Sequence, residues 1–246
     1  MFSYLENPTQ RYWIIALLII WAVLLFGGFI LGSSGSGHRM PTWTRMASSA
    51  TLVLAGFSWF LISRNYGVTQ YGLLIAIGMT FGFLGDLFLA GVLPGGRSEI
   101  GGIAAFAVGH IFYIIAIWRF GSAHGLDTTG ARWGSLIAWW LIAIIAWYFV
   151  VYSGADGPSL QWVVLPYALL LASTAGLGTG LALQEPMFIL LAVGAALFLL
   201  SDLILGGMWF ADLDFPLIDD VVWLTYGPGQ MLIVYSIGTA IKFVLG

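Results

Sequence analysis

The chain alternates between long apolar runs and short polar connections. A helix needs about 20 apolar residues to cross the hydrocarbon core of a bilayer, and eight runs approach or reach that length. We therefore predict an all-α polytopic membrane protein with eight transmembrane helices. The predicted spans are Tyr12–Leu31, Ala47–Ser63, Tyr71–Ala90, Gly101–Trp118, Gly134–Tyr152, Gln161–Leu183, Met187–Trp209 and Val221–Phe243.

Polar residues gather in the connections. The first, Gly32–Met46, is rich in Gly and Ser, which predicts a flexible loop that ends in a basic patch. The residues of this patch are His38, Arg39 and Arg45. A tight turn is expected at Ser153–Pro158, and an acidic loop at Phe210–Asp220.

The composition agrees with this pattern. Hydrophobic residues make up 60% of the 246 residues and charged residues 8%, whereas a soluble domain carries roughly 25% charged residues. We expect one integral membrane domain over residues 1–246. The net charge of −3 and the small basic patch give no indication of nucleic-acid binding, and the absence of cysteine excludes disulfides and thiolate chemistry. The first ten residues carry Glu6 and no basic cluster, so no cleavable signal peptide is expected.

Lysine and arginine in the short connections predict the orientation in the membrane. Five of them fall on one side and three on the other. The larger group is Arg11, Arg64, Arg119, Arg132 and Lys242, and the smaller is Arg39, Arg45 and Arg97. This bias predicts that both termini lie in the cytoplasm.

Two short stretches of the chain are nearly copies of each other. Residues 85–91 read GDLFLAG and residues 201–207 read SDLILGG, so each places one aspartate inside a long apolar run. About one helix further on, each is followed by a glycine and a large polar residue, Gly109-His110 and Gly229-Gln230.

The spacing predicts an internal repeat with halves 1–125 and 126–246. Four helices per half is an even number, so the halves should be parallel and related by rotation about the membrane normal. The alternative is a chance likeness of two Leu- and Gly-rich helices.

The predicted helices place four polar side chains at a similar depth. Asp86, Asp202, His110 and Gln230 all fall in the middle-to-outer part of the membrane, and we expect them to line one cavity. A carboxylate there costs at least ~2.5–3.5 kcal/mol on insertion scales and is a candidate for function. The two carboxylates should lie within about 10 Å of each other, as in pairs that act across a water. The structural alternative is a polar clamp that serves helix packing alone.

Two tyrosines accompany the polar residues. Tyr113 follows His110 by one turn, and Tyr226 precedes Gln230 by one turn, each on the same helix face as its neighbour. These four residues are candidates for binding substrate or positioning water. The alternative is that they belong to the core.

Two carboxyl groups that share a low-dielectric pocket do not easily both lose their protons, because burial and mutual repulsion disfavour the second negative charge. Such a pair then offers one protonated acid and one carboxylate, which is what acid/base hydrolysis requires. Asp86, Asp202 and His110 are also acceptable metal ligands, but the sequence lacks a compact metal-binding spacing. The acid/base interpretation is therefore preferred, with no metal and no cofactor expected.

Four segments around these residues carry a family resemblance. They are Gly82–Leu89 (GFLGDLFL), Phe106–Tyr113 (FAVGHIFY), Ser201–Leu205 (SDLIL) and Tyr226–Ile233 (YGPGQMLI). In this order and in an eight-helix chain, they resemble the signatures of the YhhN-like lysoplasmalogenase family. The resemblance spans about residues 50–240, and leaves out the N-terminal helix and its loop.

The resemblance implies a multi-spanning lipid hydrolase. Its substrate would be a lysoplasmalogen, a lysophospholipid with one alkenyl chain, and its products a fatty aldehyde and a glycerophospho-alcohol. Asp86 and Asp202 would be the catalytic pair. The chain departs from the family in the acidic connection after its second motif and in the Gly227-Pro228-Gly229 run before Gln230, which puts the substrate-facing end in doubt.

Two other function classes fit the same residues. A proton-coupled carrier of a small molecule or lipid would also show repeats, midplane carboxylates and glycine-rich helices, but would release its cargo unchanged. A lipid-binding or scaffolding protein would use the aspartates as clamps, so that Asp→Asn changes would alter stability.

Overall fold

Eight long helices form the protein in a computed structural model that describes residues 2–33, 38–153 and 158–246. Each is long and apolar enough to cross a membrane, and no strand occurs within these ranges. The predicted eight-span, all-α architecture is thereby confirmed. The helices, labelled α1 to α8, are Pro8–Leu31, Thr42–Ser63, Thr69–Ala90, Glu99–Ala123, Thr129–Tyr152, Pro158–Gln184, Ile189–Phe210 and Ile218–Leu245.

The first connection is shorter than predicted. α2 begins at Thr42, directly after Pro41, which has an extended backbone (φ −62, ψ 146). Proline favours such a boundary because its φ is fixed and it has no N–H to leave unpaired. Arg45 therefore lies in the first turn of α2 and not in the loop, while residues 34–37 of the predicted loop lie outside the described residues.

The acidic connection is shorter too. α8 begins at Ile218, so Asp219 and Asp220 belong to its first turn, and Asp212 and Asp214 remain in the loop. The first turn favours acidic residues because the helix N-terminus carries a partial positive charge. The predicted boundary at Val221 was therefore three residues late.

Asp220 joins two distant parts of the chain. Its carboxylate is 1% exposed and accepts hydrogen bonds from the backbone N–H groups of Arg39 (2.6 Å) and Met40 (2.9 Å). Backbone donors that would otherwise be buried without a partner are satisfied in this way. The segment that leads into α2 is thus held against the start of α8.

Two other boundaries also differ from the prediction. α4 continues to Ala123, five residues beyond its predicted end, and α6 begins at Pro158. The turn predicted at Ser153–Pro158 falls mostly on residues 154–157, which lie outside the described residues.

Two pairs of glycines bring neighbouring helices into backbone contact. A Cβ on Gly109 would lie 2.9 Å from the carbonyl oxygen of Gly78, so α3 and α4 leave no room for a side chain at this crossing. A Cβ on Gly229 would likewise lie 2.9 Å from the carbonyl oxygen of Gly194, where α7 meets α8. Small residues permit such close approach between membrane helices.

The two crossings occupy corresponding places in the predicted halves. Gly78 and Gly194 are separated by the same number of residues as the motif aspartates, and Gly109 and Gly229 by the same number as His110 and Gln230. Where the halves meet, α4 packs on α6 and α8 packs on α2. A rotation that exchanges the two halves would turn each of these contacts into the other. Superposition of the complete halves stays a prediction.

Candidate active site

The polar residues of the two motifs lie at two depths in the helix bundle. At 1.5 Å per residue, Asp86 is about 6 Å from the end of α3 and Asp202 about 12 Å from the end of α7. His110 is about 16 Å from the start of α4, and Gln230 about 18 Å from the start of α8. The carboxylates therefore lie nearer than the histidine and the glutamine to the end of the bundle that holds the last residues of α3 and α7.

Asp86 receives hydrogen bonds from two other helices. Its side chain is 3% exposed, and Oδ2 accepts from the Ser49 hydroxyl on α2 and from the Tyr226 hydroxyl on α8, the latter at 3.0 Å. Because the two donors come from opposite predicted halves of the chain, Asp86 is held where the halves meet.

A chain of hydrogen bonds continues from Tyr226 into the core. The amide nitrogen of Gln230 donates to the Tyr226 hydroxyl at 3.3 Å, and the Tyr113 hydroxyl donates to the amide oxygen of Gln230 at 2.8 Å. Every donor in this chain points towards Asp86, so the bonds polarise one another in one direction. Three of the four residues proposed to position substrate or water thus belong to the network of Asp86.

Asp202 has its own pair of hydroxyl contacts. The Tyr167 hydroxyl on α6 donates to Oδ2, and Ser201 Oγ lies 3.2 Å from Oδ1. Ser201 also donates to the Phe198 carbonyl at 2.8 Å. Asp202 is partly buried, and each aspartate thus accepts from a hydroxyl on the preceding long helix, Ser49 for Asp86 and Tyr167 for Asp202.

His110 lies between the two networks and bonds to neither aspartate. Its Nδ1 is hydrogen-bonded to Thr174 Oγ1 at 2.8 Å, and Thr174 Oγ1 is also 3.2 Å from the Leu170 carbonyl oxygen. The ring packs edge-on against Tyr113 at 5.6 Å and Tyr167 at 6.5 Å, one from each network. Nε2 is buried and has no hydrogen-bond partner among the described residues.

Both aspartates line a single polar cavity of about 280 Å³. Tyr226 also lines it, whereas His110, Gln230 and Tyr113 do not. The prediction that His110 and Gln230 line the same cavity as the aspartates is therefore wrong, because both side chains lie deeper in the bundle, behind the cavity wall. Further polar residues of the lining include His38, Arg45, Arg97 and Asp219.

A second cavity, of about 90 Å³, adjoins the first at Asp202. Apart from Asp202 and Tyr167, its lining is almost entirely aliphatic or aromatic, with contributions from α3 to α7. The residues that line both cavities are Leu89, Phe106, Asp202, Leu205 and Trp209. Asp202 therefore stands where a polar space meets an apolar one.

Metal ligands are not grouped at this site. Within residues 2–33, 38–153 and 158–246, no three His, Cys, Asp or Glu side chains are arranged so that they could hold a metal ion. The chemistry that can be derived from these residues is that of two carboxylates and their hydroxyl donors.

Sequence reasoning missed three residues of the site. Ser49 and Tyr167 donate to the aspartates, and Arg45 lines the polar cavity. The available signal was positional, since Ser49 precedes Asp86 by 37 residues and Tyr167 precedes Asp202 by 35. An internal repeat would place a hydroxyl on the preceding helix at nearly the same distance before each motif aspartate, and these two residues match that expectation.

Comparison with known proteins identifies the family. The sequence profile of the YhhN family matches residues 42–237, from the start of α2 into the last third of α8. No curated protein and no solved structure matches the chain. The matched region contains both aspartates, their hydroxyl donors and, apart from His38, the residues that line the two cavities. The chain therefore belongs to the YhhN family.

Proposed function

We propose that the protein hydrolyses the vinyl ether bond of lysoplasmalogens, giving a fatty aldehyde and a glycerophospho-alcohol. The observation that carries the proposal is that Asp86 and Asp202 line one polar cavity, and that Asp202 also lines an apolar one. A lysoplasmalogen has a polar headgroup, a single alkenyl chain and a vinyl ether between them. Membership of the YhhN family supports this activity.

The two cavities fit the two ends of such a lipid. The alkenyl chain would occupy the apolar cavity, whose surroundings are as apolar as the bilayer that the chain leaves. The glycerol and headgroup would occupy the polar cavity beside Arg45 and Asp219. The vinyl ether would then lie at the junction, next to Asp202 and within the space that Asp86 lines.

The chemistry needs one acid and one base. A protonated aspartate delivers its proton to the alkenyl carbon that does not bear the oxygen, which leaves an oxocarbenium ion at its neighbour. The ionised aspartate stabilises this cation and takes a proton from the water that adds to it, as carboxylate pairs do in glycoside hydrolysis. The hemiacetal then breaks into aldehyde and alcohol: the aspartate that protonated the carbon takes the proton of the hemiacetal hydroxyl, and the other aspartate gives the proton it took from water to the leaving glycerol oxygen.

The hydroxyl donors hold the carboxylates in place for these steps. Tyr226 and Ser49 orient Asp86, and Tyr167 orients Asp202. Positioning of this kind matters because catalytic groups act within hydrogen-bond reach of the atoms they protonate. Gln230 would act indirectly, through Tyr226, and His110 would support the site by packing against Tyr113 and Tyr167.

Lipid mass spectrometry of the purified protein tests the proposal. The protein is incubated with alkenyl and with ester lysolipids that share chain and headgroup. We expect fatty aldehyde from the alkenyl lipid and no cleavage of the ester. Alkenyl lipid that stays intact but crosses the bilayer in an aspartate-dependent way would favour a carrier instead.

A further inference from the structure

We propose that Arg45 forms a phosphate-binding subsite at the entrance of the polar cavity, and that its ligand is the phosphate of a single-chain lipid. The inference rests on the proposed function for the identity of the lipid. The subsite itself follows from the surroundings of one guanidinium group.

Arg45 is a cation with unused donors beside a cavity. Its side chain lines the polar cavity from the first turn of α2, and the guanidinium lies over the Trp223 ring, 5.7 Å from the centroid. One terminal nitrogen donates a long 3.4 Å hydrogen bond to Thr42 Oγ1. Nε is buried and has no hydrogen-bond partner in the part of the chain that the structure describes.

The position of Arg45 is costly unless an anion is bound. A cation in the first turn of a helix meets the positive end of the helix dipole, and a buried donor without a partner has lost its bond to water with nothing in exchange. Arginine presents its donors in a planar fork that suits phosphate. A phosphate would satisfy the donors and offset both costs.

The carboxylates near Arg45 do not occupy this role. Asp219, Asp220 and Asp86 act on it electrostatically, but no ion pair joins Arg45 to a carboxylate among the described residues. Asp220 is engaged with the backbone of residues 39 and 40. The second arginine of the cavity, Arg97, differs because its Nε pairs with Glu99 at 3.0 Å and its side chain is 58% exposed.

Arg45 and Asp86 face the same polar cavity. Arg45 also lies one turn before Ser49 on the same face of α2, and Ser49 donates to Asp86. Phosphate at Arg45 would therefore hold the glycerol end of the substrate in the cavity that the Asp86 carboxylate lines.

Binding of lipids that cannot be cleaved tests the subsite. Isothermal titration calorimetry of the detergent-solubilised full chain compares two saturated ethers, 1-hexadecylglycerol 3-phosphate and 1-hexadecylglycerol. Hydrogen bonds to a charged group contribute about 1.5–3 kcal/mol, so Arg45→Gln should weaken binding of the phosphate lipid about 10- to 100-fold. Binding of 1-hexadecylglycerol should not change, and Arg45→Lys should fall between, since lysine keeps the charge without the fork.

Arg39→Gln is the matched control. Arg39 lies near the same end of the bundle, but its guanidinium donates to the Ile30 carbonyl at 3.0 Å and it is not in the cavity lining. Its loss should leave the affinities for both lipids unchanged. An equal loss in Arg39→Gln and Arg45→Gln would mean a general charge effect and would overturn the subsite, as would a wild-type protein that binds both lipids equally well.

Inorganic phosphate distinguishes the two sources of the ligand. Titrated alone, it should bind far more weakly than the phosphate lipid, because it lacks the chain. Equal affinity would overturn the assignment to a lipid.

The outcomes can be separated from those of the proposed function. If the protein binds the phosphate lipid through Arg45 but cleaves no vinyl ether, the subsite stands and the hydrolase activity is overturned. If the protein cleaves the vinyl ether but Arg45→Gln binds the phosphate lipid as tightly as the wild type, the activity stands and the subsite is overturned.

Discussion

The Tyr226 hydroxyl on α8 donates a 3.0 Å hydrogen bond to the Asp86 carboxylate on α3, although 140 residues separate them in the chain. The carboxylate of the first motif is thus oriented by the segment that carries the Gly229-Gln230 pair. This contact makes the proposed site a product of the whole bundle, because no pair of adjacent helices contains all of its parts.

Tyr226→Phe should lower the rate of aldehyde release about 10- to 100-fold, because a hydrogen bond to a charged group contributes about 1.5–3 kcal/mol and 1.36 kcal/mol is a factor of ten in rate. The ring contacts with Phe198 at 5.1 Å and Trp223 at 5.3 Å survive in phenylalanine. Gln230 Nε2 loses its acceptor, which lies at 3.3 Å, so the melting temperature should fall by only about 2–4 °C, as a loss of about 1 kcal/mol produces in a chain of this size. Tyr235→Phe is the control, since that hydroxyl donates to the Ile14 carbonyl away from both cavities. Full activity in Tyr226→Phe would show that the Asp86 contact is incidental.

His110→Ala should affect stability more than chemistry. The side chain is 1% exposed and packs against Phe198 at 4.5 Å, so its removal leaves a cavity in the core. Truncation of a buried aromatic side chain to alanine typically costs about 3–5 kcal/mol. Thermal unfolding should show a clear loss of stability, and the protein that remains folded should lose less activity than an aspartate variant. A stable His110→Ala protein without activity would place the histidine in the chemistry instead.

Ala168→Phe should reduce activity towards long-chain substrates more than towards short-chain ones. Ala168 lines the apolar cavity, and a phenyl group would fill space that the alkenyl chain is proposed to occupy. The measurement is kcat/KM as a function of chain length. Ala138→Phe on the exposed face of α5 is the matched control, and the chain-length profile should be unchanged there. A uniform loss over all chain lengths in Ala168→Phe would argue against the cavity as the chain site.

Both termini should lie on the cytoplasmic side. An even number of spans places them on the same side, and the excess of Lys and Arg in the connections on that side predicts which one. Reporter fusions at each end measure this directly. Termini on the outer side would show that the five-to-three bias does not determine the orientation.

The helices and the two aspartates could be predicted from the sequence because their signals are strong. Eight apolar runs are hard to reconcile with any other fold, and an acid is rare within such a run because it is costly there. Ser49 and Tyr167 could not be singled out, since hydroxyls are common in membrane helices and cost little.

The surroundings of Arg45 depend on distant contacts. The start of α2 is fixed by Pro41 and by the bonds from Asp220 to the backbone of residues 39 and 40. Those bonds bridge about 180 residues, and no local pattern reveals them. The deeper placement of His110 and Gln230 likewise follows from tertiary packing, with Thr174 and Tyr226 as their partners.

The central claim is that Asp86 and Asp202 carry the reaction rather than the fold. It is tested most directly by aldehyde release from a lysoplasmalogen, measured for Asp86→Asn, Asp202→Asn and wild-type protein beside their melting temperatures. Asparagine keeps the shape but removes the acid, and the loss of an acid/base group typically costs ~10²–10⁴-fold in rate. Asp214→Asn in the exposed acidic loop serves as the control and should keep full activity. We predict that both aspartate variants lose aldehyde release by that factor and melt close to the wild type; full activity, or a loss explained by unfolding, would contradict the account and leave the pair as a structural clamp.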